Sequence, residues 1–381
     1  MTEPGYKVLD LRDSPWVDGP GRTILQSASM VDKNRWAITI GAFYGDSHGE
    51  HAYMQRAEEL GLDVLPVKEN SAFDRKVVSQ ILNAIKSYSF DIIHTHDFRS
   101  DIYGLICSRI SSVPLVSTCH GWIANNLKGR IYTRIDKWAL RHFDEVISVS
   151  DTMREQLIGM GIRENRITVI RNALVIDEYQ PNKDNNDFRR ELGIDDDVKI
   201  IANIGRLSPE KGQDIFIEAA HLILKRHTRV CFVLIGIGPE QQAIEALVDK
   251  YGIRNHVIFA GYRGDMKNVY HSIDLVVQSS YTEGMPNVIL ESLLMAVPVV
   301  ATDVGGTREI VSHQQTGLLI DAHNLEQLVD GIEDYLKSPE KHASMAAEGR
   351  KYVERNFDHN NRVARLMDVY DKVLNRRREA R

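Results

Sequence analysis

Two series of short β-branched runs, each interleaved with helical patterns, constrain the fold of this chain more than any other feature. The first series covers residues 8–11, 36–41, 63–67, 91–94, 115–118, 145–149 and 168–170. Parallel strands need a crossover of a dozen or more residues and a helix supplies it, so this alternation predicts a parallel sheet covered on both faces. After Leu174 the pattern breaks in VIDEYQPNKDNNDF, a polar stretch with Pro181 and three Asn that reads as a linker. A second series follows at 199–204, 230–235, 256–260, 275–278 and 299–301. The expected class is therefore α/β, with two doubly wound, Rossmann-like domains at 1–178 and 179–357. At 381 residues the chain is also long for one core. Ligands of such sheets sit beyond the carboxyl ends of the strands, so two facing sheets would hold the site in the cleft between them.

The chemistry concentrates in QSSYTEGMPNVILESLLMAVPVV, residues 278–300. It reads as a strand end, a tight turn at Gly284 and a helix opening at Pro286, where a missing N–H costs nothing. Glu283 falls in the turn. Glu291 falls inside the helix, whose packed side is Val288, Ile289, Leu290, Leu293 and Leu294. At ~1.5 Å per residue Glu291 stands roughly 7 Å along the axis from Pro286, with first-turn N–H groups between the two acids. A helix N-terminus favours anions, so the spacing suits a diphosphate with hydroxyl-bearing groups on either side. The alternative is an ordinary N-terminal acid and a solvated one. The run KIIANIG leads into Arg206, Leu207, Ser208, Pro209, Glu210, Lys211 and Gly212, then a helix. A planar guanidinium and a mobile ammonium make a complementary pair for linked phosphates.

Other candidates are weaker in pattern. The turn Asp18-Gly19-Pro20-Gly21-Arg22 precedes a helix, but neither it nor Gly236-Ile237-Gly238 has the G-x-G-x-x-G spacing of a dinucleotide site. His94, His96 and His120 end two neighbouring strands. Alternation would split the pair from His120 and no facing carboxylate is evident, so hydrogen bonding is expected rather than a metal, with His94 a satisfied core residue. Asp195-Asp196-Asp197 reads as a solvated turn. A formal charge of -6 argues against a general nucleic-acid binder. Cys107, Cys119 and Cys231 are scattered among apolar neighbours, which suits a reducing cytoplasm. No run approaches the ~18 apolar residues of a spanning helix.

Taken in order, GRLSPEKG, then Glu283-Gly284-x-Pro286 with Glu291 eight positions after Glu283, then Gly305-Gly306-x-Arg308-Glu309 and TGLLI resemble the retaining GT-B glycosyltransferases of family 4. The resemblance is strongest over about 200–325 and looser in the first half, where it rests on Gly19 and Gly21, His120-Gly121, SVSDTM and IRNAL. It implies that Arg206 and Lys211 meet the donor diphosphate beside Gly205, that Glu291 holds the ribose and that Glu283 holds the transferred sugar. Backbone N–H groups of Gly284, Met285, Pro286-flanking residues and Asn287 would contact sugar and phosphate, and residues 259–266 would lie near the base. Glu283, Arg206, Lys211 and His120 are the catalytic candidates. Gly19, Gly21 and His96 fall on the acceptor side. The first domain would be completed by a helix at 358–381, with 179–357 the donor domain. Asn172-Ala173 departs from the family's Asn-Gly.

The reaction implied is transfer of a sugar from a UDP- or GDP-sugar to a glycan or lipid-linked acceptor, with retention and without a cofactor or divalent metal. A GT-B nucleotide-sugar 2-epimerase and a non-enzymatic nucleotide-sugar binder remain open alternatives. In the 127–142 helix, Arg130, Arg134, Lys137 and Arg141 recur opposite Leu127, Ile131, Ile135 and Trp138. Such a helix rests on an anionic membrane or is a solvated face, so the expected place is the cytoplasm, at the inner face of the membrane.

Overall fold

The structure is a computed structural model that describes residues 5–45, 51–71, 74–122, 127–182 and 186–379, with the backbone alone at 127 and 128. Residues 183–185 of the linker and the Leu127 side chain lie outside that set. The chain divides into two compact units, Met1–Asn172 with His359–Arg381, and Ala173–Asp358. The crossing points thus fall at 172/173 and 358/359 instead of 178/179 and 357/358.

In the first unit β1 (Tyr6–Arg12), β2 (Trp36–Tyr44), β3 (Asp63–Lys68), β4 (Ile92–Thr95), β5 (Leu115–Cys119), β6 (Glu145–Ser148) and β7 (Ile167–Val169) form one sheet. Their order is β3-β2-β1-β4-β5-β6-β7, and every pairing is parallel. Alternate residues serve opposite faces, as a period of two requires. Leu9, Ile93 and Val146 pack on one face, and Val8, Ile92 and Ile147 on the other. The second face is covered by the helices Gly19–Ser29 and Ala52–Glu59 and by the final helix His359–Glu379. That last helix buries Val363, Leu366, Val369, Tyr370 and Val373 there.

The second unit has β8 (Lys199–Ile204), β9 (Val230–Ile235), β10 (Val257–Gly261), β11 (Leu275–Gln278), β12 (Val299–Thr302) and β13 (Leu318–Ile320). They form a parallel sheet in the order β10-β9-β8-β11-β12-β13. β13 was not expected as a strand, because three residues of TGLLI carry no readable period; it pairs Leu318 with Val300. Both sheets are doubly wound. The strand order reverses between β1 and β4 in one and between β8 and β11 in the other, and at such a point the loops diverge and leave room for a ligand.

One expectation fails in its geometry. In the helix Leu127–Ala139 the core side is Asp136 and Ala139, while Ile131, Ile135 and Trp138 are 51%, 40% and 54% exposed. At about 100° per residue the basic and apolar rows lie side by side, not opposite, and both face outward. No helix among the described residues is long and apolar enough to cross a membrane.

Candidate active site

In the second unit the reversal between β8 and β11 brings together the two motifs that carried the chemistry in the sequence. The loop after β8 returns through the one-turn helix Pro209–Lys211 to Gly212, whose φ of 62° is left-handed. A Cβ there would stand 2.1 Å from the Ser279 carbonyl oxygen, so glycine is required for the two loops to touch. Ser279 Oγ donates to the Gly212 carbonyl at 2.7 Å, and the Tyr281 N–H donates to the Glu210 carbonyl at 2.8 Å.

These contacts set two cations on one rim. Arg206 donates to Glu210 at 2.7 Å, and Glu210 also accepts from the Ser208 hydroxyl at 2.6 Å. The carboxylate is buried while the guanidinium side chain is 55% exposed, so an acid beneath holds a cation that faces solvent. Lys211 reaches across to Glu283 at 2.7 Å, and Glu283 also accepts from Ser280 Oγ at 2.7 Å. Gly205 leaves β8 with its N–H on the Ile235 carbonyl, and the Leu207 N–H meets the Ile237 carbonyl at 3.1 Å, which gives the Gly236–Gly238 turn a packing role.

Pro286 stands at the N-cap, with no cap bond from its own side chain, and the helix runs Asn287–Leu294, one residue later than expected. Gly284 and Met285 complete the approach to it, Met285 being buried. Glu291 is 4% exposed and so is not the solvated acid of the alternative reading. Its oxygens accept from Tyr270 at 2.9 Å and Tyr179 at 3.4 Å. Residues 259–266 run from the end of β10 to the Arg263 fork, which grips Glu191 and Asp265, with Tyr262 exposed. Sequence reasoning missed Ser208, Glu210, Ser280, Tyr179 and Tyr270 as parts of this site. Glu210 lay inside a quoted motif, but the tyrosines look like core residues and only the fold aims their hydroxyls at Glu291.

The loop after β12 braces the Glu283 loop. Gly306 N–H donates to the Gly284 carbonyl at 2.7 Å, and a Cβ on Gly305, at φ 55°, would lie 1.9 Å from the Glu283 carbonyl oxygen. Gly305→Ala must therefore push the Glu283 loop aside. We expect it to lower kcat/KM at least about tenfold with the circular dichroism spectrum unchanged; wild-type kinetics would remove the loop's assigned importance. Arg308, by contrast, forks onto Asp303 at 2.8 Å and belongs to the surface.

In the first unit the structure corrects the reading of the histidines. Asp10 stands opposite His94 in the β1–β4 register and supplies the carboxylate that the sequence seemed to lack. Its Oδ1 lies 3.0 Å from His96 Nε2, and His96 Nδ1 lies 3.4 Å from His120 Nε2, so the pair is not split from His120. His94 is held at both nitrogens, by Tyr370 and Thr118 at 2.8 Å each. Asp10, His94 and His96 are the one group of three ligand-type side chains this close together among the described residues. With both His94 nitrogens engaged, the group is a hydrogen-bonded core and not a ready metal cage. Burial drives His94, His96 and His120 well below the usual histidine range, which keeps the rings neutral. Burial also pushes Asp10 up to about 6, opposed by His94, Arg12 and Arg362.

Gly19 and Gly21 are not in a turn ahead of a helix but form its first turn. Asp18 caps it, accepting from the Gly21 N–H at 2.9 Å and from Arg12 at 2.5 Å. Asp197 pairs with Arg229, so the aspartate triplet keeps to its turn.

Comparison with known proteins adds to this geometry. Residues 17–178 match the family Glycosyltransferase Family 4, and residues 184–352 match Glycosyl transferases group 1. An uncharacterized glycosyltransferase of Methanocaldococcus jannaschii is 29% identical over 74% of this chain and 75% of its own. The UDP-Gal:alpha-D-GlcNAc-diphosphoundecaprenol alpha-1,3-galactosyltransferase of Escherichia coli is 25% identical over 80% and 81%. Among solved structures, Anabaena HepE in complex with UDP and glucose superposes with a TM-score of 0.86 at 24% identity, over 96% of this chain and 99% of that one. With the family 4 domain in the first unit, the group 1 domain in the second and the paired doubly wound sheets of the GT-B fold, this chain belongs to the family 4 glycosyltransferases.

Proposed function

We propose that this glycosyltransferase moves a hexose from a UDP- or GDP-sugar to a glycan or lipid-linked acceptor, with retention of configuration and without a divalent metal. The observation that supports the donor half is the pair of cations, Arg206 seated on Glu210 and Lys211 on Glu283, beside a helix N-terminus whose N-cap is Pro286. Breaking the bond between the anomeric carbon and phosphate leaves the electron pair on the diphosphate and gives the sugar oxocarbenium character. Fixed cations and N–H groups aimed at that phosphate stabilise the developing charge, which is the task a metal performs in other sites. Glu283 takes hydroxyls of the sugar and Glu291, oriented by its two tyrosines, takes those of the ribose. His120, half-buried and kept neutral by desolvation and the neighbouring His96, serves as a hydrogen-bonding partner for the sugar, with His96 behind it. UDP-sugars are favoured because UDP and UDP-glucose occupy the crystals of Anabaena HepE and the E. coli relative is named for UDP-Gal. The lipid-linked acceptor follows the diphosphoundecaprenol in that same relative's name.

A panel of UDP-, GDP-, ADP- and TDP-sugars tested by thermal shift identifies the donor. A ligand at 100 times its dissociation constant stabilises by about 2.7 kcal/mol. Glu291→Gln is expected to reduce that shift, and an unaltered shift would remove Glu291 from the ribose site. Product NMR then separates the readings: a retained anomer on an acceptor supports transfer, an epimerised donor without acceptor supports the isomerase, and bound but unconsumed donor supports a sensor.

A further inference from the structure

At the amino end of the first unit's sheet, a groove of about 590 Å³ opens where Ser112, Asp144 and Arg166 lead into β5, β6 and β7. Ligands of doubly wound sheets bind at the other end, beyond the carboxyl ends of the strands, where His120 follows β5. The groove therefore lies away from the histidine cluster. Arg109, Arg163, Arg166, Arg376 and Arg377 line it, and Asp144 is its carboxylate. These arginines come from three places: the last turn of Phe98–Ser111, the connection ahead of β7 and the last turn of His359–Glu379.

The protein itself satisfies only part of this charge. Arg166 donates to the Phe143 carbonyl at 3.1 Å, and Arg376 donates to the Asn165 carbonyl and to Glu145, both at 2.8 Å. Glu145 also holds Lys372, which already matches its charge. Arg377 stands 3.6 Å from Asp144, beyond hydrogen-bond reach, and its Nε is buried without a hydrogen-bond partner among the described residues. The side chains of Arg109 and Arg163 are exposed and make no ion pair or hydrogen bond among the described residues. Cations are ordinary at helix C-termini, each of which carries about half a negative charge. That accounts for basic residues in the two last turns, but Arg163 and Arg166 lie on no α-helix. With Asp144 and both helix ends counted, the five guanidiniums leave a surplus of about three positive charges. Like charges drawn together in this way repel unless an anion joins them.

We propose that the groove binds a soluble oligophosphate, a short chain of linked phosphates, which ties the final helix to the rest of the first unit. The planar fork of arginine pairs with phosphate oxygens two at a time, and linked phosphates concentrate several charges in a small space. A nucleoside triphosphate or a lipid headgroup carries the same chemistry. No apolar side chain among the described residues lines the groove, so the phosphates themselves, and not a nucleobase or an acyl chain, are what it fits.

Tripolyphosphate is titrated into the full chain by calorimetry, with UDP in excess to occupy the proposed donor site and salt at about 0.15 M. The expected result is one tripolyphosphate per chain, a higher unfolding midpoint and slower amide hydrogen exchange across His359–Glu379. Arg109→Gln with Arg163→Gln should weaken binding at least about tenfold. Neither side chain has a protein partner to lose, so the double variant should keep the wild-type circular dichroism spectrum. Lys211→Ala should leave the tripolyphosphate affinity unchanged, so that this proposal and the donor reading stand or fall separately. The proposal is overturned by absence of binding, or by binding that Lys211→Ala abolishes and the double variant retains. Citrate binding as tightly as tripolyphosphate would also overturn it, as would uptake onto phosphoinositide vesicles with no tripolyphosphate bound.

Discussion

Lys211→Ala is expected to cut kcat/KM by about 10²–10³-fold, the range seen when one fixed electrostatic donor to a developing negative charge is removed. The Lys211 side chain is 28% exposed and its ammonium lies 2.7 Å from Glu283, so in the resting site it neutralises that acid. In the proposed donor complex the diphosphate lies within its reach. The substitution therefore acts twice: it withdraws charge from the leaving group, and it leaves Glu283 with the Ser280 hydroxyl but without its cation. Lys211→Arg should recover only part of the loss, because a planar fork does not reproduce a compact point charge on a flexible stem. Single-turnover kinetics on the preferred donor provide the measurement. A loss confined to KM would mean that Lys211 binds donor and transition state alike, and the leaving-group assignment would fall.

Asp10→Asn is expected to stabilise the protein by about 3 kcal/mol at pH 8 and by almost nothing near pH 4. The folded pKa of Asp10 is raised from 3.8 to about 6, so between those values the native state binds a proton that the unfolded chain has lost. Native-state stability attributable to this group accordingly falls as pH rises from about 4 to about 6, and the full penalty persists above that. Asparagine mimics the protonated side chain and escapes the penalty. Urea denaturation of both proteins across this range tests it; a difference independent of pH would show that Asp10 is not the group whose ionisation is penalised. A buried acid retained beside His96 and His120 at such a cost points to a part in orienting the His120 ring.

Most of the sheet was legible because buried parallel strands are near-continuous apolar runs, and β8, β9 and β11 begin and end where the sequence placed them. The loops proposed for the donor stood out for another reason. Arg206, Lys211, Glu283 and Glu291 are charged residues at fixed offsets from strand ends, a pattern that packing alone does not produce. Asp10 escaped notice because it sits inside an apolar strand, and its meaning comes from a register partner more than 80 residues away. The outward face of Leu127–Ala139 was misjudged because helical periodicity says which residues share a side, not which side meets the core. Here the buried side carries Asp136, held by the Trp122 indole at 2.8 Å, a pairing no period announces.

The final helix has a consequence for biosynthesis. It contributes Tyr370 to His94, Arg362 to the carbonyls of Ile170 and Arg171, and Lys372 and Arg376 to the fully buried Glu145. During translation these partners leave the ribosome only after the whole second unit. The nascent first unit must therefore wait, with Glu145 lacking Lys372 and Arg376 and one sheet face partly bare, until the helix His359–Glu379 arrives. The first unit thus begins before the second and is completed only after it.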